Sequence, residues 1–276
     1  MISCIVCSRY SALSERLVQN IQHTIGESFE LVVLDNSKNK YSIFSAYNEG
    51  VRRAKGEFLC FMHEDILFHS DNWGKEIVNI FADSSVGLIG VLGTQFLPST
   101  PSAWWWSGCT VGHVLQSKNN KLGCDNWSVN GNPIVKDTDA VAVDGLWFCV
   151  KRELFDRISY DEASFNSFHC YDLDICMQVL SLGKRIIVAH GIIIEHASEG
   201  DVGKVFLNQL DRFYEKWEAK LPVQRGILLD EMAQSSIKDV VIQLSEQIRI
   251  NVGIKNSKKY KMAIRMSSLF HRVVFG

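Results

Sequence analysis

Glu57-Phe58-Leu59-Cys60-Phe61-Met62-His63-Glu64-Asp65 is the stretch on which the reading of this chain turns: an apolar β-type run from Glu57 to His63 whose end carries three ionisable side chains in a row. A carboxylate at the rim of a buried strand is costly to desolvate unless a cation or a hydrogen-bond donor stands beside it. Upstream, Ile2 to Ser8 and Glu30 to Leu34 predict strands, and Ser14 to Ile25 and Ile43 to Ala54 predict helices. Downstream, Trp73 to Ala82 reads as a helix and Val86 to Leu92 as a fourth apolar strand. Such alternation indicates βαβ units and an α/β fold with a mainly parallel sheet covered by helices on both faces. In the first helix Leu13, Leu17, Ile21 and Ile25 recur every four residues while Glu15, Arg16 and Gln19 fall elsewhere, one buried stripe against one wet face.

The chain has 276 residues with 29 basic and 31 acidic side chains, a net charge of -2, which excludes a disordered chain and gives no electrostatic reason to expect nucleic acid. No apolar run approaches the roughly 18 to 20 residues that span a bilayer, and Met1 to Cys7 lacks the charged start of a signal peptide, so a cytoplasmic protein is expected. Eight cysteines are scattered, several within apolar runs, and are expected as reduced, mostly buried thiols. Cys4 and Cys7 form a C-x-x-C, but on a strand they point to opposite faces and no second pair completes a zinc site.

From Thr94 to Thr138 the pattern dissolves into Pro, Ser, Gly and Asn around Trp104-Trp105-Trp106 and Trp127, which predicts a long loop of functional interest. Ala140 to Val150 restores a strand, Asp172 to Leu182 reads as a helix stopped by Gly183, and Lys184 to His196 is apolar with a break at His190-Gly191. Val205 to Leu221 and Gln224 to Ile250 look helical. Lys255 to Gly276 carries Lys255, Lys258, Lys259, Lys261, Arg265 and Arg272 among apolar residues with no acid. That composition suits either a helix lying on an anionic membrane surface or a docked terminal helix with a solvated basic face.

An open α/β sheet binds ligands beyond the carboxyl ends of its strands, so the polar residues after each apolar run are the candidates. They are Ser8-Arg9-Tyr10, Asp35-Asn36-Ser37, His63-Glu64-Asp65 and Thr94-Gln95. Asp, Asn and Ser are also ordinary turn formers and helix caps, which would account for most of them without any function. The glycines at 87, 90 and 93 precede no helix and are no dinucleotide turn.

In order and spacing, several segments together resemble the glycosyltransferases of the GT-A fold, family-2 type. They are Ser8-Arg9 after the first strand, Leu31 to Ser37, Tyr47-Asn48-Glu49-Gly50 through Ala54-Lys55-Gly56 to Phe61, Val143-Asp144-Gly145-Leu146-Trp147-Phe148, Tyr171-Asp172-Leu173-Asp174 and His196. The resemblance covers about residues 1 to 200. It implies a GT-A, Rossmann-like domain, assigned here to 1–220, and the helical pattern and basic composition beyond it predict a helical C-terminal extension over 221–276 with a basic amphipathic end. It implies transfer of a sugar from a nucleotide-diphospho-sugar donor to a glycan or lipid-linked acceptor hydroxyl, with inversion; the expected cytoplasmic location and the basic amphipathic end suggest a peripheral enzyme at the inner face of the cell membrane.

By the same resemblance Ser8, Arg9, Asp35, Asn48, Glu64 and Asp65 line the donor site, with Asp35 against the base. Asp65, with His196 as a further ligand or phosphate contact, would hold a divalent ion, Mn²⁺ or Mg²⁺. Asp172 would be the general base, with Asp174, two residues on and also toward the acceptor, as the alternative proton acceptor. Independently of the resemblance, Trp104 to Trp106, Trp127 and Trp147 are candidates for the acceptor side, Trp105 and Trp147 foremost, because a flat ring suits the apolar face of a sugar. Two positions depart from the pattern. His63 stands where the first D-x-D aspartate is usual, removing one negative charge; a variant subgroup resembles this His, polar residue, Asp order, and Glu64 either points away or supplies the missing ligand. Tyr171 stands in place of the glutamate before the base. The alternative is a degenerate nucleotide- or glycan-binding module on the same fold.

Overall fold

Strands β1 (Ile2–Ser8), β2 (Phe29–Asp35) and β3 (Phe58–Met62) alternate with helices α1 (Glu15–Thr24) and α2 (Ile43–Arg53) in the computed structural model, which describes residues 1–107, 109–118, 121–127, 136–198 and 203–226. Both helices start where a serine side chain accepts a backbone N–H of the first turn, Ser14 from Leu17 and Ser42 from Ser45, each at 3.2 Å. Leu17 and Ile21 are buried as the four-residue recurrence predicts. β2 and β3 flank β1 in parallel, with Cys4 beside Leu31 on one side and Cys60 on the other. Cys4 is buried and Cys7 only half-buried, in keeping with opposite faces.

The chain continues through β4 (Ile66–Phe68), α3 (Trp73–Phe81), β5 (Val86–Gly90), β6 (Leu92–Thr94), β7 (Phe96–Leu97), β8 (Thr110–Lys118), β9 (Lys121–Trp127), β10 (Thr138–Ala140), β11 (Ala142–Val143) and β12 (Trp147–Lys151). It ends in α4 (Tyr171–Ser181), β13 (Arg185–Val188), β14 (Ile194–His196), α5 (Lys204–Trp217) and β15 (Val223–Gln224). The main sheet has seven strands in the order β10-β13-β5-β12-β3-β1-β2, and a second runs β11-β6-β8-β14-β4 with β9 on β8.

The main sheet is mainly parallel, as expected, with β13, β5, β3, β1 and β2 running one way and β12 and β10 against them. β12 lies between β3 and β5 and runs antiparallel to both, Phe148 opposite Phe61 and Gly90. No helix precedes β12; the chain arrives directly from β11 in the second sheet, so it enters the main sheet at the end where β3 leaves and must run the other way. As a result Asp144, Gly145 and Leu146 stand at the carboxyl end of β3.

The expected loop from Thr94 to Thr138 is corrected: it holds β7, a 3₁₀ turn at Trp104–Trp106, and the antiparallel hairpin β8–β9, Gly112 opposite Trp127. β8 shows no alternation because its residues Thr110, Val111, His113 and Val114 are all buried, so both faces of the strand are covered. Gln224 pairs with Phe96 as the end of β15, so the helix expected from Gln224 does not start there, and the boundary at 220 falls just before this strand. Residues 227–276, including the basic segment from Lys255, lie outside the described residues, as do the side chains of Trp106 and Trp127.

The core sits between the sheets and helices α2, α4 and α5 and is rich in rings. Phe61 packs against Tyr47, Tyr160 and Phe148 at centroid separations of 4.9, 5.2 and 5.3 Å, so the strand that ends at His63 is held by aromatic contacts on its length. No described helix is long and apolar enough to cross a membrane.

Candidate active site

Two antiparallel pairings bring three distant segments to the end of β3. His63 follows that strand, and its N–H donates to the Leu146 carbonyl at 2.9 Å, tying it to the chain entering β12. β14 runs antiparallel to β4 with His196 opposite Ile66, and the Ala197 N–H donates to the Asp65 carbonyl at 3.1 Å. His63, Asp65 and His196 therefore converge.

His63 Nδ1 lies 3.4 Å from His196 Nε2 and 3.9 Å from Asp65 Oδ1, and His196 Nε2 lies 3.6 Å from the same oxygen. The point equidistant from these three atoms is about 2.1 Å from each, a metal-to-ligand bond length. Two imidazole nitrogens and one carboxylate oxygen form a donor set for a borderline divalent ion more than for Mg²⁺, which favours oxygen throughout. Withdrawal from bulk water, and then the neighbouring His196, hold the His63 imidazole below its ordinary pKa, so the ring is neutral and able to ligate.

Glu64 points away from this group. Its Oε2 accepts from the Ser8 hydroxyl in a very short contact and from the Arg9 N–H at 3.1 Å, while Oε1 accepts from Arg9 Nε at 2.8 Å. The Tyr10 N–H donates to Ser8 Oγ at 3.0 Å, so Glu64 braces the whole turn after β1. Asp35 is level with Ser8 in the β1–β2 pairing, at the same rim; its Oδ1 accepts the Ser37 N–H at 2.9 Å, and Ser37 holds the exposed carboxyl below the usual range.

A cleft of about 450 Å³ opens beside the three ligating side chains, lined among others by His63, Asp144, Tyr171, Asp172, His196 and Trp105. Cys170, in the left-handed region at φ 64°, turns the chain into α4, and Asp172 stands in that helix's first turn. Asp172 Oδ1 accepts the Leu173 N–H at 2.9 Å, and the Gly145 N–H also reaches the carboxylate. Desolvation, aided by the charge of Asp144, nevertheless raises its pKa to about 7. Asp144 is itself fixed by the Leu146 N–H at 2.8 Å. Tyr171 is buried; its hydroxyl donates to the Gly145 carbonyl at 3.0 Å and lies 2.9 Å from His63 Nε2, and burial pushes the phenol pKa well up, so it stays protonated. A Cβ at Gly145 would stand 2.2 Å from that oxygen, hence the glycine.

Three expected site residues are elsewhere. Trp147 is fully buried, its ring edge-on to Trp73 and Phe68, because β12 turns that side chain into the layer under α3. Asp174 is 1% exposed and accepts from Trp217 Nε1 at 2.8 Å and Gln178 Nε2 at 2.7 Å, with Lys216 Nζ at 2.7 Å. Two residues along a helix is about 200° of rotation, so when Asp172 faces the cleft Asp174 faces α5. Asn48 donates to the Tyr160 carbonyl at 2.8 Å and to Glu162 Oε1 at 2.6 Å and accepts the Tyr160 N–H at 3.0 Å; it clamps a loop and does not line the cleft. Trp105 does line it, stacked on Phe206 of α5 with centroids 5.5 Å apart.

Sequence reasoning did not anticipate that His63 could join Asp65 and His196 in holding an ion, that Asp144 stands beside Asp172 or that Tyr171 reaches His63. The signal for the first was the two-residue spacing of His63 and Asp65 at a strand end; for the others there was none before β12 was known to run antiparallel.

The fold is that of the GT-A glycosyltransferases. The structure of GalNAc-T7 with UDP, GalNAc and Mn²⁺ superimposes with a TM-score of 0.54 at 12% identity, covering 98% of this chain and 57% of that one. Residues 1–205 match the model of the Glycosyltransferase like family, and the chain belongs to that family. The mannosyltransferase PcManGT from Pyrobaculum calidifontis, in complex with GDP-Man and Mn²⁺, aligns at a TM-score of 0.47 and 12% identity over 98% of this chain and 80% of its own. Streptomycin biosynthesis protein StrF of Streptomyces griseus is 26% identical over 170 residues, 59% of this chain; the chain spans 55% of that curated relative.

Proposed function

We propose that the chain transfers a sugar from a nucleotide-diphospho-sugar to an acceptor hydroxyl with inversion at the anomeric carbon. One observation carries the reading: a carboxyl group raised to about 7 faces the same cleft as a His63–Asp65–His196 group able to hold a divalent ion. An ion held there supplies a Lewis acid for the charge on the departing diphosphate. Asp172 accepts the proton of the acceptor hydroxyl as its oxygen bonds the anomeric carbon and the sugar–phosphate bond breaks. A base titrating near the working pH is suited to that step. The turn of Ser8 and Arg9, braced by Glu64, and the neighbouring Asp35 receive the nucleoside. Trp105 and Phe206 offer an aromatic wall to the acceptor sugar.

The reading extends to an acceptor that is a glycan or is lipid-linked, and to a cytoplasmic enzyme held at the inner face of the membrane by its basic C-terminal segment. The composition of Lys255 to Gly276 supports that part.

Its test is a thermal-shift panel of UDP, GDP, dTDP and CDP and their sugars, with Mn²⁺, with Mg²⁺ and with chelator. The expected result is that one base class stabilises the protein in the presence of metal and that Asp65→Ala abolishes the shift. No shift with any nucleotide would overturn the transferase reading in favour of a glycan-binding module.

A further inference from the structure

We infer that Tyr171 is a positioning residue for the metal group: its hydroxyl selects the His63 tautomer that leaves Nδ1 free to ligate. This rests on the proposed metal site. A phenol has one hydrogen, and Tyr171 gives it to the Gly145 carbonyl at 3.0 Å. With the hydrogen engaged by the carbonyl, which can only accept, the same oxygen accepts toward His63 Nε2, 2.9 Å away, and this arrangement favours the imidazole proton on Nε2. The lone pair is thereby left on Nδ1, the atom 3.4 Å from His196 Nε2 and 3.9 Å from Asp65 Oδ1. The opposite tautomer would aim an N–H at the ion's position.

The phenol is rigidly held. Tyr171 packs edge-on to Phe44 and Tyr47, and the absence of a side chain at Gly145 leaves the room its hydroxyl needs. His63 and Tyr171 are thus in direct contact. A histidine ligand needs its second nitrogen oriented, a need that an aspartate in that place would not have, and the residue ahead of the base on α4 supplies a neutral acceptor for it.

Long-range ¹H–¹⁵N spectra of the imidazoles, together with Mn²⁺ titration followed by electron paramagnetic resonance, test this in wild type, Tyr171→Phe and Gly145→Ala. In the metal-free wild type His63 is expected as the Nε2–H form; in Tyr171→Phe the two forms mix and Mn²⁺ binds about 10- to 100-fold more weakly at unchanged near-ultraviolet circular dichroism. Gly145→Ala, which keeps the hydroxyl but displaces it, is expected to weaken Mn²⁺ in the same way. An Nδ1–H form in the wild type overturns the inference whatever the variants do, and so does equal Mn²⁺ affinity in wild type and Tyr171→Phe. A wild type that binds no Mn²⁺ removes the metal site itself, a different failure that the tautomer spectrum identifies.

Discussion

Replacing Asp172 by asparagine should stabilise the protein above pH 7 while removing the proposed base. The folded carboxyl titrates at about 7, against about 3.9 in an unfolded chain. Between these values the folded state keeps a proton the unfolded state has released, so the folded state binds more protons. Stability therefore falls as pH rises through this window and levels off above about 7. Three pKa units correspond to about 4 kcal/mol; the water of the cleft screens part of this, leaving about 1–3 kcal/mol. The asparagine amide has no charge to desolvate, so Asp172→Asn should raise Tm by about 2–8 °C at pH 8, with the gain shrinking toward zero near pH 4. Calorimetry of both proteins across that range in chelator reads the difference directly. A Tm difference independent of pH, or absent at pH 8, would refute the desolvation of Asp172. Once donor and acceptor are known, the same variant should lose about 10²- to 10⁴-fold in kcat.

The nitrogen-rich donor set predicts that Mn²⁺ or Co²⁺ supports turnover better than Mg²⁺ and that His63→Asp, by restoring an oxygen ligand, narrows the Mn²⁺ to Mg²⁺ rate ratio by about tenfold or more; an unchanged ratio would argue against His63 as ligand. Asp174→Ala should leave donor affinity intact yet lower stability by about 1–3 kcal/mol in urea melts, since it strands the Trp217 indole N–H and takes from Lys216 one of its two carboxylates, the other being Asp161. Trp105→Ala is expected to raise the acceptor KM about tenfold with little change in donor KM, a split visible in steady-state kinetics. The 1–276 chain should co-sediment with anionic liposomes more than a 1–254 truncation does, and equal partitioning would dispose of the membrane contact.

Much of the fold was legible because local patterns and tertiary structure agree over the first ninety residues. Ser14 and Ser42 cap the helices, Leu17 and Ile21 face inward, and β1 and β3 are apolar on both faces because both are covered. The antiparallel course of β12 was not legible, since an apolar run carries no sign of its direction; that depends on where the chain comes from. The β8–β9 hairpin was hidden because β8 is buried on both faces from Thr110 to Val114 and so carries no polar and apolar alternation.

For the site, the residues after β1, β2 and β3 were readable as a set, because strand ends are where an open sheet leaves polar groups for a ligand. Their individual roles were not. Asp172 and Asp174 look alike in the sequence, and helix geometry sends one to the cleft and the other to α5. Trp147 and Trp105 are both tryptophans near a glycine- and serine-rich stretch, but one lies inside a strand buried on both sides and the other on a short turn at the cleft wall. His63 read as a lost charge when taken alone; its value as a ligand depends on His196, which reaches it only through the β4–β14 pairing.

The most direct test of the central claim is a Mn²⁺ titration of the metal-free chain, with and without the nucleoside diphosphate that the thermal panel selects, in wild type, His63→Ala, Asp65→Ala, His196→Ala and Asp172→Asn. The account predicts one Mn²⁺ per chain, bound more tightly with nucleotide, lost in the three ligand variants and retained in Asp172→Asn. Undiminished Mn²⁺ binding in the three variants, or none in the wild type, would contradict it.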